Sequence, residues 1–240
     1  MKLLLDVGNS RLKWALTDGT DWEWGVTDYG DGPGGMRYQW SALPAPGEVH
    51  GLCVAPDRTG PVEAYCIEMW GISPHWYGAQ AAAFGVRNLY EPPEALGADR
   101  YAALVAVRHR VRGSASVVTC GTAITIDALS ADGTFQGGVI LPGLRAATAG
   151  LAAKIPHLPP PRFDGDFTST PRSTTGALGA GVILGAAGAI DRILAMQATV
   201  LGDRTVFLGG GDSDLLRSHL QTPIQIERNL PIQGLALMIR

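Results

Sequence analysis

At 240 residues, 46% of them hydrophobic and 17% charged, the chain is too apolar to be disordered and long enough for one large domain or two small ones sharing a cleft. Nineteen Lys and Arg against 22 Asp and Glu leave a net charge of −3, so no bulk positive field draws a phosphate backbone, and nucleic acid is excluded as the principal partner. The 32 glycines and 16 prolines predict many tight turns and close backbone approaches.

Residues 2–7 (KLLLDV) form an apolar run that stops at Gly8-Asn9-Ser10, and residues 11–17 (RLKWALT) alternate with Leu12, Trp14 and Leu16 on one face. That pattern predicts a β-hairpin. After the Thr17-Asp18-Gly19 turn, Trp22, Trp24 and Val26 alternate again and predict a third antiparallel strand whose tryptophans belong to the sheet core. Met36, Trp40 and Leu43 recur at helical spacing, residues 50–55 read as a buried strand, and a second helix is predicted from near Pro61 with Val62, Tyr65, Cys66 and Met69 on one stripe. A strand at 74–77 and a loop through Pro92-Pro93 lead to Gly97-Ala98-Asp99-Arg100, which opens a helix running to about Arg110.

Near Gly113 the series restarts. Residues 116–129 (SVVTCGTAITIDAL) read as two strands around Cys120-Gly121-Thr122, Asp132-Gly133 makes the next turn, and 135–141 returns as a strand. Helices are predicted at 144–155 and 174–201, followed by a strand at 205–208, a glycine run at 209–211, a helix near 212–220, a strand at 224–227 and a terminal helix. The segment 156–172, with five prolines at 156, 159, 160, 161 and 171, is a loop or linker. A βββαβαβα module occurring twice, divided as 1–113 and 114–240, is the economical description of an α/β chain.

Cys53, Cys66 and Cys120 form no CxxC pair, which suggests neither a disulfide framework nor a zinc site and fits a reducing cytoplasm. The opening MKLLLDVGNS meets an Asp too early for a signal-peptide core. The uncharged stretch 176–190 falls short of the ~20 residues that span a bilayer and reads as a buried helix, so no membrane partner is expected. Its glycines at 176, 181, 185 and 188 permit close helix approach, in a core or a dimer. His50, His75, His109, His157 and His219 lack metal-ligand spacing, and no G-x-S-x-G motif accompanies them.

Asp6-Val7-Gly8-Asn9-Ser10 sits at a strand-to-turn junction where amides and a hydroxyl can gather around phosphate oxygens. Asp6 can hold Mg²⁺ through water, and Lys13 can reach a phosphate. On this segment alone an ordinary Asx hairpin turn is an equal reading. Cys120-Gly121-Thr122-Ala123 occupies the same place in the second half, and two matched turns in repeated modules are far less accidental than one.

These turns, with the glycine run at 209–211 in the place of an adenosine loop, resemble the phosphate loops of the acetate and sugar kinase, Hsc70 and actin superfamily. Within it the chain resembles the type III pantothenate kinases along essentially its whole length. DVGNSRLKWAL matches that family's D-x-G-N-[ST]-x-x-K, Gly97-Ala98-Asp99-Arg100 its G-x-D-R, and GTAITID its second phosphate motif. Gly137-Gly138-Val139-Ile140-Leu141-Pro142-Gly143 matches G-G-x-I-x-P-G, and Ser173-Thr174-Thr175-Gly176-Ala177 fits the family's late helix.

The resemblance implies duplicated actin-like, ribonuclease H-like domains with mixed sheets and a nucleotide cleft between them. It implies ATP-dependent phosphorylation of pantothenate, the first step toward coenzyme A, by a cytoplasmic homodimer that needs Mg²⁺ and a monovalent cation, K⁺ or NH₄⁺. By the same resemblance Asp99 is the base that accepts the alcohol proton, and Gly97, Asp99, Arg100, Tyr90 and Asn9 contact pantothenate, with Thr175 reaching into the partner subunit's site. Asp6 serves the metal, while Asp6, Val7, Gly8, Asn9, Ser10, Arg11, Leu12 and Lys13, together with Gly121 and Thr122, contact ATP and its phosphates. Read without the family, Asp99-Arg100 is a helix N-terminal acid beside a solvated arginine.

One position departs from the pattern. Thr119 stands where the family usually has an acidic residue before the second phosphate turn, and a neutral hydroxyl is a weaker magnesium ligand than a carboxylate. The ion then rests on Asp6 and the ATP phosphates, with Asp127 as a possible helper. The alternatives left open are a nucleotide-binding regulatory factor with weak or no kinase activity and another small-molecule kinase of the superfamily.

Overall fold

The computed structural model describes residues 1–28, 32–164, 167 and 170–240. Its chain divides into two compact units, Met1–Arg110 with Leu230–Arg240, and Val111–Asn229. The boundary near residue 110 lies close to the one expected at 113, whereas the terminal helix joins the first unit rather than the second.

In the first unit β1 (Lys2–Val7), β2 (Arg11–Thr17) and β3 (Trp22–Asp28) form an antiparallel meander. β4 (Glu48–Cys53) and β5 (His75–Tyr77) add in parallel on the other side of β1, giving the order β3-β2-β1-β4-β5. The alternation that predicted the hairpin places Leu3, Leu5, Val7, Leu12, Trp14 and Leu16 in one cluster with Met36 and Trp40 of α1 (Gly32–Ser41) and Val62, Tyr65 and Cys66 of α2 (Pro56–Trp70). Gln39 ties α1 to the meander, accepting from the Trp14 indole (3.1 Å) and the Thr27 hydroxyl (2.8 Å) and donating to the Val26 carbonyl (3.1 Å).

Two expectations change here. Trp22 and Trp24 are not core: Trp24 is exposed on the edge strand, and the two rings stack on each other with centroids 4.9 Å apart. α2 begins at Pro56, not Pro61, because Pro56 at the first turn needs no hydrogen bond to its nitrogen and Asp57 complements the helix dipole there.

A hairpin unseen in the sequence, β6 (Ala82–Ala83) and β7 (Val86–Asn88), turns at Phe84 and Gly85, both with positive φ. A single 3₁₀ turn at Pro93–Ala95 then leads to α3 (Ala98–Arg110), which packs on α7 (Leu230–Met238) so closely that Gly234 lies on the Ala102 carbonyl.

The second unit repeats the plan. β8 (Ser114–Cys120), β9 (Ala123–Leu129) and β10 (Thr134–Pro142) are antiparallel, and β11 (Arg204–Gly209) and β12 (Gln225–Ile226) continue in parallel from β8. The order β10-β9-β8-β11-β12 therefore reproduces that of the first unit strand for strand, as the repeated module predicts. Helices α4 (Leu144–Lys154), α5 (Thr174–Leu201) and α6 (Ser213–Leu216) complete it.

α5 is only partly buried. Ile183, Ala187, Ile190 and Leu194 join the core with Val118, Cys120, Ile124 and Ile126, while Leu184, Met196 and Val200 are exposed. At 28 residues it is long and apolar enough to cross a membrane by length and composition, and a third of its most apolar window is buried within the protein. The expected loop at 156–172 is irregular where described, with positions 165, 166, 168 and 169 outside the described residues. It is pinned to α5 by the Arg162 amide donating to the Thr175 carbonyl (3.2 Å).

Candidate active site

In the first unit the site begins where β1 meets β2. Asp6 and Lys13 are register partners, with Asp6 buried at 6% exposure and its Oδ2 3.6 Å from Lys13 Nζ. Burial pushes the Asp6 carboxyl up to about 6; the Lys13 ammonium opposes the rise and the nearby Asp99 carboxylate adds to it. The Asp6 carboxylate thus feels one ammonium and one further carboxylate, and its burial outweighs both.

The bend itself is tightly folded. The Gly8 amide donates to both the Asp6 and Arg11 carbonyls, at 3.2 Å each, so it is engaged within the turn. Asn9 and Ser10 are exposed, and Arg11 pairs with Asp28 at 3.3 Å. Val7 and Leu12 are fully buried in the sheet core, so their side chains face away from any ligand and only their main chains can meet a phosphate.

Asp99 stands in the first turn of α3. Its Oδ1 accepts the Arg100 amide at 2.8 Å. Gly97 makes this possible: a Cβ at position 97 would sit 2.7 Å from Asp99 Oδ1. Arg100 is 7% exposed, and its guanidinium carbon lies 5.6 Å from the centre of the Tyr90 ring, in cation–π range. Gly97, Asp99, Arg100 and Tyr90 are therefore neighbours, brought together by the 88–97 loop and the start of α3.

In the second unit the bend after β8 is built in the same way, with the Gly121 amide donating to the Ala123 carbonyl at 3.0 Å and Thr122 exposed. Gly143 packs its Cα against the Gly121 and Thr122 carbonyls and donates to Thr122 at 3.1 Å, an approach no larger residue fits. This explains why a glycine closes the GGVILPG run. Thr119 is the register partner of Thr125, whose hydroxyl is buried without a hydrogen-bond partner. Thr175 is half-buried in the first turn of α5, capped by Ser173, which accepts the Gly176 amide at 3.2 Å.

The fit of a divalent cation can be judged from these groups. Among the described residues no cluster of three or more His, Cys, Asp or Glu side chains could hold a metal unaided. A buried carboxylate raised to about 6 beside a second carboxylate is, however, a group that a cation would return to its ionised form. That donor set suits Mg²⁺, which keeps waters and takes one or two carboxylates plus substrate phosphates.

Sequence reasoning missed Asn88, which is buried and ties the Tyr90 loop at both ends. The Asn-x-Tyr spacing of an Asx turn was its only signal.

The profile of the type III pantothenate kinase family matches residues 2–196. A type III pantothenate kinase of Nitrosomonas eutropha is 34% identical over 99% of this chain and 94% of its own. Another, of Nitrosospira multiformis, is 37% identical over 99% of this chain and 90% of its own. A solved structure described as a 2-dehydro-3-deoxygalactonokinase of Sinorhizobium meliloti superposes with a TM-score of 0.60 at 13% identity, covering 98% of this chain and 97% of that one. At that identity the likeness speaks for the fold alone, the mixed-sheet α/β architecture of the sugar kinases.

Proposed function

The chain belongs to the type III pantothenate kinase family, and from that premise we propose that it transfers the γ-phosphoryl group of ATP to the primary hydroxyl of pantothenate, the first step toward coenzyme A. The observation that carries the reading is the grouping of Asp6, Lys13 and Asp99 in one unit, with Gly97, Arg100 and Tyr90 beside Asp99.

In this reading Asp99 orients the hydroxyl and takes its proton as the oxygen attacks the γ-phosphorus and the bond to the bridging oxygen of ADP breaks. Phosphoryl transfer has a loose transition state, so positioning and charge stabilisation supply most of the catalysis and one carboxylate suffices as base. Arg100 holds the pantothenate carboxylate, while Gly97, Tyr90 and Asn9 line the acceptor and Thr175 serves the partner subunit's site. Lys13 and the main chain from Val7 to Leu12 meet phosphate oxygens, as do the bends at Gly121 and Thr122. Asp6 holds Mg²⁺, which when bound neutralises charge on the phosphates; with a threonine at 119 the ion depends on Asp6 and the nucleotide. A requirement for K⁺ or NH₄⁺ and a cytoplasmic homodimer complete the proposal, the dimer supported by the exposed Leu184, Met196 and Val200 on α5.

Incubation of the purified protein with labelled ATP and either pantothenate or a panel of sugars tests it. Labelled phosphopantothenate is the expected product. A sugar phosphate would move the chain to another kinase of the superfamily, and nucleotide binding without turnover would make it a regulatory factor.

A further inference from the structure

We infer that Asn88 is a positioning residue for the acceptor substrate, acting through Tyr90 on Arg100; the inference rests on the assignment of Tyr90 and Arg100 to pantothenate made above. Asn88 ends β7, is 5% exposed, and uses both polar atoms of its carboxamide on the loop that follows. Its backbone amide donates to the Ala81 carbonyl at 2.8 Å, which anchors the residue to the far side of the β6–β7 hairpin. Its Oδ1 accepts the Tyr90 amide at 3.0 Å, and its Nδ2 donates to the Pro93 carbonyl at 2.8 Å.

The carboxamide therefore bridges both ends of a loop whose intervening residues, Leu89, Glu91 and Pro92, are exposed and have no core to hold them. A loop so poorly packed is drawn from the low-stability end of a structure unless something pins it. What it carries is the Tyr90 ring on the Arg100 guanidinium, one residue from Asp99. Only a side chain with a donor and an acceptor on one short planar group can close this bridge. Asp keeps the acceptor but turns an oxygen toward the Pro93 carbonyl, and Ala keeps neither. Leaving such a buried partner unsatisfied costs enough to change an equilibrium about tenfold.

Asn88 touches neither phosphate nor base in this scheme, so its loss should weaken acceptor binding and leave chemistry alone, a rise in KM without a fall in kcat. The experiment compares Asn88→Asp, Tyr90→Leu and the double variant, with Asn88→Ser in place of Asn88→Asp if the latter gives no cooperative melt. The expected result is a KM for pantothenate about tenfold higher in N88D, with kcat and the KM for ATP within about twofold. The double variant should be no worse than Tyr90→Leu alone, because one route is removed once. An unchanged KM in folded N88D, or a double variant in which the two effects multiply, overturns the inference. Hydrogen exchange at the amides of residues 89–93 gives a reading independent of turnover: faster exchange in N88D supports the clamp and unchanged exchange overturns it. If the wild-type protein phosphorylates no pantothenate, the kinase assignment fails and exchange alone decides whether Asn88 holds the loop.

Discussion

Asp6 and Lys13 face each other across the first hairpin as register partners, carboxylate oxygen to ammonium nitrogen 3.6 Å apart, yet the carboxyl titrates near 6 rather than below its ordinary value. Burial outweighs the ion pair. The site thus holds a carboxylate that the folded chain alone disfavours, which is how a group waiting for a cation should behave.

The first prediction concerns stability. Because the folded-state value of Asp6, about 6, lies above the ordinary 3.8, the folded protein binds the proton more tightly and loses stability as pH rises through that window. Asp6→Asn removes the titration, so it should gain on the wild type by up to roughly 3 kcal/mol between the low and high ends of the window. Thermal unfolding of both proteins without nucleotide or divalent metal, across that range, checks it. A constant difference between them would mean that Asp6 is not held against its charge.

Asp99→Asn should lower turnover by at least ~10²-fold, the loss typical of a positioned general base. ATP affinity should stay within about threefold, since the substitution leaves phosphate contacts intact. Turnover equal to the wild type would remove Asp99 from the mechanism.

Gly97→Ala places a methyl 2.7 Å from Asp99 Oδ1, and the carboxylate is the group free to yield. Turnover should fall by about tenfold or more through misplacement of the base, while the melting temperature changes little. A large loss of thermal stability with full activity in the remaining folded protein would show that the main chain, not Asp99, gives way.

Thr119→Asp restores a carboxylate next to the second bend and should lower the magnesium concentration that half-saturates turnover. A metal titration superimposable on that of the wild type would place residue 119 away from the ion.

Much of this was legible in the residues because the strands alternate cleanly: β1 and β2 lie where KLLLDV and RLKWALT predict, and the second unit repeats their order. Alternation does not say which face of an edge strand is covered, so Trp22 and Trp24 look like core and instead stack outside it. For the same reason α5, apolar on nearly every side, gives no sign that Leu184, Met196 and Val200 face outward. The motifs bring Gly97, Asp99 and Arg100 forward directly, being adjacent in the chain. Asn88 stays hidden because its role lies in two hydrogen bonds to a loop too short and irregular to carry a periodic signal.

The packing of α7 on α3 bears on how the molecule is made. Unit one is discontinuous in the chain, so the ribosome must translate through Met238 before the segment carrying Asp6 and Asp99 has its last helix to rest on. Unit two, Val111–Asn229, is contiguous and complete earlier in synthesis. Messages cut short before residue 230 would yield a second unit with all its residues attached to a first unit without its last helix.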